Sequence, residues 1–170
     1  MKEQKIAVIG MGMWGKNIVR NFYNLNALEM VCDLDDESLK SVQEQFPGVK
    51  VTKDFNDIIN NPDITGVAVV TPSHTHFKIV KAMLEAGKNV YVEKPISTVA
   101  EEAKVLTELA ESKGLVLMVD HLLLYHPAVN RLKMLIEEGV LGELVYAQSD
   151  RLNVNYHKND RSVMWDLAPH

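Results

Sequence analysis

Three glycines near the start of the chain have the spacing of a phosphate-binding turn. They follow the apolar run 6–9 in the pattern G-x-G-x-x-G, and residues 16–24 beyond them are predicted to form a helix. In such a turn the first glycine allows a tight bend, the second lets a pyrophosphate approach the backbone, and the third lets the helix pack closely on the strand. The free N–H groups and the positive dipole end of the helix favour the anion. The residues predicted to bind a dinucleotide here are Gly10, Gly12, Met13, Trp14 and Gly15.

An acidic residue stands where a dinucleotide-binding unit needs one. The second apolar run, 27–32, ends in Asp33, at about the 20-residue spacing of an acid that binds the adenosine ribose. A glycine-rich turn in some other α/β protein is the alternative interpretation. Asp33 would repel a 2′-phosphate, and residues 34–38 contain no arginine to bind one. The predicted cofactor is therefore NAD and not NADP.

Two further segments follow predicted strands, at the edge of an open α/β sheet where ligands bind. The first contains Thr71, Pro72, His74 and His76. The two histidines are two residues apart, so on a helix they face different directions and do not share a metal ion. Each is interpreted either as an exposed first-turn histidine or as a functional one, and no metal site is predicted.

The second segment is Glu93-Lys94-Pro95. A lysine at the end of a buried strand, next to an X-Pro bond, has two interpretations. It is either a solvated strand terminus or a cation held near the reacting end of a cofactor, where it could bind a substrate hydroxyl or carbonyl.

Strand and helix patterns alternate six times up to residue 119, with short linkers, and this predicts a doubly wound parallel sheet of the Rossmann type. Ser73 is the predicted N-cap of a helix over 74–85. Thr98 and Glu101 form a predicted capping box at the start of a helix that runs to Ser112.

The pattern changes after Asp120. A helix is predicted over 127–138 and an antiparallel strand over 143–154. The predicted organisation is an NAD-binding domain over 1–120 and, over 121–170, a crossover helix with the start of an incomplete α+β substrate domain.

The composition excludes several classes of partner. The 170 residues carry a formal net charge of −5, and lysine and arginine are scattered, so neither nucleic acid nor a membrane surface is an expected partner. No segment approaches the ~18 apolar residues of a membrane span. The single cysteine, Cys32, is expected to be a small buried residue, and a cytoplasmic location is expected.

These motifs together resemble the glucose-fructose oxidoreductase, inositol dehydrogenase and MocA family of NAD(P)-dependent sugar and cyclitol dehydrogenases. The resemblance rests on the glycine turn, Asp33, Thr71-Pro72, Glu93-Lys94-Pro95 and Asp166-x-x-x-His170. The stretches 119–129, 141–143 and 165–170 are similar to members that act on nucleotide sugars, nearest to the UDP-N-acetylglucosamine-type 3-dehydrogenases.

The resemblance implies specific roles. Lys94 would contact the reacting hydroxyl, His170 would be the acid/base, and Asp166 would support it; these are the expected catalytic residues. Thr71, Pro72, His76 and Glu93 would line the nicotinamide and its ribose, and the Lys94–Pro95 bond is expected to be cis. Without the resemblance, the alternative interpretation of Asp166 and His170 is a capped helix start with a surface histidine.

Members of this family are about twice as long as this chain. The chain is therefore expected to be a truncated form that binds NAD with little turnover. A small-molecule sugar or nucleotide sugar is the expected substrate, and a homo-oligomer is expected because apolar residues along 144–165 would be exposed. The alternative function is a non-catalytic NAD-binding sensor or regulatory module, and a purely structural α/β domain is the third interpretation.

Overall fold

The computed structural model describes residues 4–150 and Trp165. Six strands lie in the first 120 residues, and they are β1 Ile6–Ile9, β2 Leu28–Cys32, β3 Lys50–Thr52, β4 Gly66–Val69, β5 Asn89–Val92 and β6 Leu117–Val119. The helices are α1 Gly15–Asn24, α2 Asp36–Gln45, α3 Asn56–Ile59, α4 His76–Glu85, α5 Ala100–Lys113 and α6 Pro127–Glu137. Short 3-10 turns cover Ser73–Thr75 and Leu122–Tyr125.

The six strands form one parallel sheet in the order β3-β2-β1-β4-β5-β6. The prediction of a doubly wound Rossmann sheet is confirmed. The strand order reverses between β1 and β4, and Ile9 at the end of β1 is in register with Cys32 of β2 and Val69 of β4. The carboxyl ends of the three central strands therefore meet at one edge, where a crevice opens in folds of this kind.

The alternating side chains of the strands divide the core into two layers. One layer packs the sheet against α1 and α2, and its fully buried members include Val8, Val19, Val31, Val42 and Ala68. The other packs the sheet against α4 and α5, and its fully buried members include Val69, Val80, Met83, Val92 and Leu106. Burying a valine, leucine or methionine side chain contributes about 1.5–3 kcal/mol, so both layers stabilise the sheet.

A buried lysine lies at the amino ends of the central strands, opposite the edge where their carboxyl ends meet. Lys88, which precedes β5, is only 5% exposed, and its Nζ donates to the carbonyl oxygens of Asn61 at 2.6 Å and Ile64 at 2.9 Å. Burial lowers the pKa of the Lys88 ammonium. This side chain ties the loop before β4 to the amino end of β5.

The predicted N-cap at Ser73 is wrong. Ser73 lies in the 3-10 turn, its side chain is buried, and α4 begins at His76 after Thr75. The Thr75 hydroxyl donates to the Pro72 carbonyl at 2.7 Å, and the Thr75 N–H donates to the same oxygen at 2.9 Å. These two bonds close a tight turn before the helix, and the turn displaces the helix start by two residues.

The predicted Thr98–Glu101 capping box is also wrong. Helix α5 starts after Val99 with no capping side chain. The hydrogen bonds at the start of the helix are made by Ser97 instead. Its buried hydroxyl accepts from the Val99 N–H at 3.0 Å and donates to Glu102 Oε2 at 2.5 Å.

The chain divides into two compact units, residues 1–120 and residues 121–170. In the second unit, α6 begins at Pro127, and the His126 Nδ1 accepts from the Ala128 N–H at 3.2 Å. The strand predicted over 143–154 is not formed at residues 143–150, and residues 151–154 lie outside the described part. An antiparallel strand needs a paired neighbour, and the described residues of this unit supply none.

None of the described helices has the length and apolar character needed to cross a membrane.

Candidate functional site

The glycine turn after β1 is closed by the backbone on two sides and open on the third. Gly10 has a φ of 101°, and a Cβ there would lie 2.6 Å from the Val70 carbonyl oxygen. A Cβ on Gly15 would lie 2.1 Å from the Gly10 carbonyl oxygen. A Cβ on Gly12 would meet no atom within 4 Å. Gly10 and Gly15 are therefore required by the fold, whereas Gly12 leaves open space at the start of α1.

Helix α1 begins without a side chain on its N-terminal N–H groups, since Trp14 at the N-cap makes no capping bond. The predicted residues Met13 and Trp14 lie on the open side of the turn, with 64% and 46% of their surfaces exposed. The Lys16 and Asn17 N–H groups of the first turn donate to the Gly12 and Trp14 carbonyl oxygens, so the positive dipole end of α1 and the unfilled approach at Gly12 are the features that fit a diphosphate.

The Asp33 carboxylate joins the glycine turn to the end of β2. Its Oδ2 accepts from the Met11 N–H at 2.5 Å, and its Oδ1 accepts from the Asp35 N–H at 2.8 Å. Each carboxylate oxygen has a further lone pair, so both can also accept from ribose hydroxyls. The two backbone bonds hold the side chain in one position before any ligand binds.

His76 joins the turns that follow β4 and β5. It is 1% exposed, and its Nε2 lies 2.8 Å from the Thr71 carbonyl oxygen while its Nδ1 lies 2.8 Å from the Pro95 carbonyl oxygen. The exposed interpretation of His76 is therefore wrong, whereas His74 is exposed. The Thr71 and Thr75 hydroxyls are 2.7 Å apart, which holds the Thr71-Pro72 turn against the start of α4.

The segment after β5 has the backbone form that the resemblance implies. The Lys94–Pro95 peptide bond is cis. Lys94 is half-buried, and the two interpretations of its ammonium, a solvated strand terminus or a cation near the reacting end of a cofactor, both remain predictions. Glu93 is buried with 8% of its surface exposed, and its Oε2 accepts from the Lys94 N–H at 3.2 Å. A cation and a carboxyl group therefore stand side by side at this end of the sheet.

A second carboxyl group, Asp120, lies beside Glu93. Burial raises the pKa of Glu93 to about 8, helped by the hydrogen bond and the charge of Asp120, while the Lys94 N–H and charge act in the opposite direction. Burial also raises the pKa of the Tyr91 phenol, and the hydrogen bond to Asp120 adds to the rise. Asp120 was not among the predicted site residues. An acid directly after a predicted strand was the available signal, as it was for Asp33.

Of the predicted site residues, the first unit places those of the glycine turn, Asp33, Thr71, Pro72, His76, Glu93 and Lys94 at the carboxyl ends of β1, β2, β4 and β5. The predicted residues Asp166 and His170 lie outside the described residues. Among the residues that the structure describes, no three histidine, cysteine or acidic side chains are grouped so as to hold a metal ion.

Residues 4–121 match the model of a family described as an oxidoreductase family with an NAD-binding Rossmann fold. An uncharacterised oxidoreductase of Escherichia coli strain K12 is 36% identical over 152 residues, which cover 84% of this chain and 43% of that protein. A scyllo-inositol 2-dehydrogenase (NADP(+)) of Bacillus subtilis strain 168 is 27% identical over 161 residues, covering 95% of this chain and 44% of that protein.

The fold is similar to the crystal structure of scyllo-inositol dehydrogenase from Lactobacillus casei with bound NAD(H) and scyllo-inositol. The TM-score is 0.77 at 25% identity, over 84% of this chain and 43% of that one. The chain thus spans less than half the length of each of these three proteins. With the glycine turn, Asp33 and the cis Lys94–Pro95 bond in the expected places, this chain belongs to the glucose-fructose oxidoreductase, inositol dehydrogenase and MocA family of NAD-binding oxidoreductases.

Proposed function

We propose that this chain binds NAD along the carboxyl ends of β1, β2, β4 and β5 and provides the nucleotide half of a sugar or cyclitol dehydrogenase. The observation that carries the proposal is the glycine turn, in which Gly10 and Gly15 are packed against backbone while the approach at Gly12 stays open. The position of Asp33, fixed by the Met11 N–H, supports the ribose end of the same site.

NAD, when bound, accepts a hydride from the carbon of a secondary alcohol. The proposed part of Lys94 is to hold the reacting hydroxyl and stabilise its developing negative charge. His170 is proposed to take the hydroxyl proton, since a histidine titrates near neutral pH, and Asp166 to support it. Thr71, Pro72 and Glu93 are proposed to line the nicotinamide and its ribose. The buried His76, predicted to lie in the same set, is proposed to hold in place the turns that carry them.

The proposed cofactor preference is for NAD over NADP. Residues 34–38 include three acids, and the lysine that lies near them, Lys53, is paired with Asp36 at 2.6 Å. A 2′-phosphate would therefore approach negative charge. A titration with both dinucleotides tests the preference, and NADP binding as tight as NAD binding would overturn it.

The proposed substrate is a sugar or a nucleotide sugar, with the 3-hydroxyl of a UDP-N-acetyl-hexose as the specific candidate. The support is the similarity of residues 119–129 and 165–170 to members with such substrates.

The 170-residue chain alone is proposed to bind NAD with little turnover. The test measures NAD binding by calorimetry and NAD-linked absorbance against polyols and UDP-sugars. Saturable binding with negligible turnover is expected; no NAD binding would contradict the proposal, and rapid turnover would contradict its second part.

Self-association is proposed because the second unit carries exposed apolar side chains. Leu144, Tyr146 and Trp165 are 55%, 83% and 42% exposed, while Val154 lies outside the described residues. Sedimentation at increasing concentration tests this, and a monomer throughout would contradict it.

A further inference from the structure

Glu93 and Asp120 occupy equivalent positions on neighbouring strands. Val92 of β5 is in register with Val119 of β6, and each acid is the next residue after its strand. The Asp120 N–H donates to the Val92 carbonyl oxygen at 2.9 Å, and the Glu93 N–H donates to the Val69 carbonyl oxygen at 3.0 Å. The backbone ladder therefore continues through both acids and brings their carboxyl groups to the same edge.

The hydrogen bonds of Glu93 are incomplete if both acids are ionised. Its Oε2 accepts from the Lys94 N–H, but its Oε1 is fully buried and has no hydrogen-bond partner within the described part of the chain. An ionised carboxylate only accepts hydrogen bonds, so two ionised carboxylates cannot bond to each other. One added proton provides a donor and joins the two groups.

The surrounding charges favour one added proton. Two ionised carboxylates side by side would place a second negative charge, that of the partly exposed Asp120, against the buried Glu93 carboxylate, which is disfavoured. Among the described residues, the groups that act on the pair include the Tyr91 phenol and the charge and backbone N–H of Lys94. These groups favour one negative charge on the pair, because Lys94 can balance one carboxylate.

We propose that Glu93 and Asp120 share one proton at neutral pH, and that this proton is released to solvent when a positively charged ring binds at the same strand ends. The second part rests on the proposed binding of NAD. The raised pKa of Glu93 agrees with the first part. The proton belongs to the pair and not to either acid alone.

Release depends on the charge of the ligand. The nicotinamide ring of oxidised NAD is positive, and that of the reduced form is neutral. A positive ring near the pair favours the form with two negative charges, so the O–H bond between the carboxyl groups breaks and the proton leaves to the buffer. Neutral NADH supplies no such charge. The predicted result is that binding of the oxidised form is linked to proton release and binding of the reduced form is not.

The shared proton is tested by denaturant unfolding of the wild type and of Glu93→Gln between about pH 5 and pH 8. The pKa of Glu93 is higher in the folded chain than the ordinary value of 4.5. The folded state therefore binds a proton that the unfolded chain loses above that value, and stability falls as pH rises towards 8. The unfolding constant of the wild type relative to Glu93→Gln should rise with pH, by up to about tenfold per pH unit. A ratio independent of pH would overturn the shared proton.

Two further variants sharpen this test. Asp120→Asn should weaken the pH dependence, because the hydrogen bond and the charge of Asp120 add to the effect of burial on the pKa of Glu93. A pH dependence equal to that of the wild type would show that burial alone keeps the proton on Glu93. This comparison replaces Glu93→Gln if that variant does not fold. Glu29→Gln is the matched control. The hydrogen bond to Lys50 lowers the pKa of Glu29. The ratio of the unfolding constants of the wild type and Glu29→Gln should therefore not change over the same pH range.

The released proton is measured by calorimetry of NAD and NADH binding at pH 7 in two buffers with different ionisation enthalpies. Proton release with NAD but not with NADH, lost in Glu93→Gln, is the expected result. Equal proton exchange for both cofactors would overturn the release. Absence of NAD binding would contradict the proposed function and the release with it, while the unfolding comparison would still decide whether the proton is shared.

Discussion

His76 on α4 reaches the turn after β5, where its Nδ1 lies 2.8 Å from the carbonyl oxygen of Pro95. Its other ring nitrogen contacts the carbonyl oxygen of Thr71, so one imidazole spans the turns after β4 and β5. Lys94 directly precedes Pro95, and its backbone position therefore depends on this contact. His76 is thus a positioning residue for the proposed site.

Replacing His76 with phenylalanine should destabilise the protein by about 1–3 kcal/mol, because a backbone carbonyl oxygen at one of the two turns loses the imidazole N–H as its donor. NAD affinity should also fall, since the two turns are no longer joined. Urea unfolding and NAD titration measure the two effects. His74→Gln is the matched control, because His74 is exposed on the same segment, and its stability should change by less than about 0.5 kcal/mol. Equal stabilities of the two variants would contradict the role of His76.

Replacing Gly12 and Gly15 separately with alanine should distinguish an effect on NAD affinity from an effect on folding stability. Gly15→Ala places a Cβ 2.1 Å from the Gly10 carbonyl oxygen, a contact that no side-chain movement relieves. It should cost more than about 3 kcal/mol or prevent folding. Gly12→Ala meets nothing within 4 Å, so its unfolding curve should be close to that of the wild type while its NAD affinity falls. Normal NAD binding by Gly12→Ala would show that the phosphates do not approach there.

Replacing Asp33 with alanine should reduce NAD affinity by about 10–100-fold, because hydrogen bonds to a charged group contribute about 1.5–3 kcal/mol. The discrimination against NADP should decrease as well, since a negative charge is removed. Titration of each variant with both dinucleotides measures this. Asp36→Asn serves as the control, because Asp36 is an exposed acid at the start of α2, three residues from Asp33, and is paired with Lys53. A similar loss of NAD affinity in both variants would argue against a direct ribose contact by Asp33.

The thiol of Cys32 should be almost unreactive in the folded protein. It is 4% exposed, and burial, with a smaller effect from the charges of Asp33, Asp54 and Asp57, raises its pKa to about 11. At pH 8 only about one thiol in a thousand is then ionised, and the thiolate is the reactive form. Labelling with a thiol reagent should be slow in buffer, fast in denaturant, and slower still with NAD. Rapid labelling of the folded protein would show that the end of β2 opens easily.

The fold was predictable from the sequence because its signals are local and repeated. Apolar runs such as 64–70 are typical of parallel strands buried on both faces, and helix stops such as Gly114 require only a left-handed backbone, observed at a φ of 63°. The two predicted caps were wrong for a physical reason. Ser73 and Thr98 have the right residue types, but Thr75 and Ser97 have competing hydroxyls whose bonds depend on the folded turn.

The candidate site was predictable where a residue follows a strand within a known spacing, as Asp33 does. The contact of His76 with Pro95 joins residues 19 positions apart and depends on how α4 packs beside β5. The pairing of Glu93 with Asp120 depends on the adjacency of β5 and β6. Both relationships arise from tertiary packing, which the pattern of residue types alone does not specify.

Lys88, held by the carbonyl oxygens of Asn61 and Ile64, gives the two edges of the sheet different tolerance to change. At its edge the charge is already neutralised by main-chain dipoles, and almost any replacement leaves those carbonyls without a donor. At the far edge, open turns end the strands, and new side chains there meet solvent or a ligand. Libraries that diversify Met13 and Trp14 should therefore yield many folded variants with altered recognition, whereas libraries that diversify Lys88 should yield few.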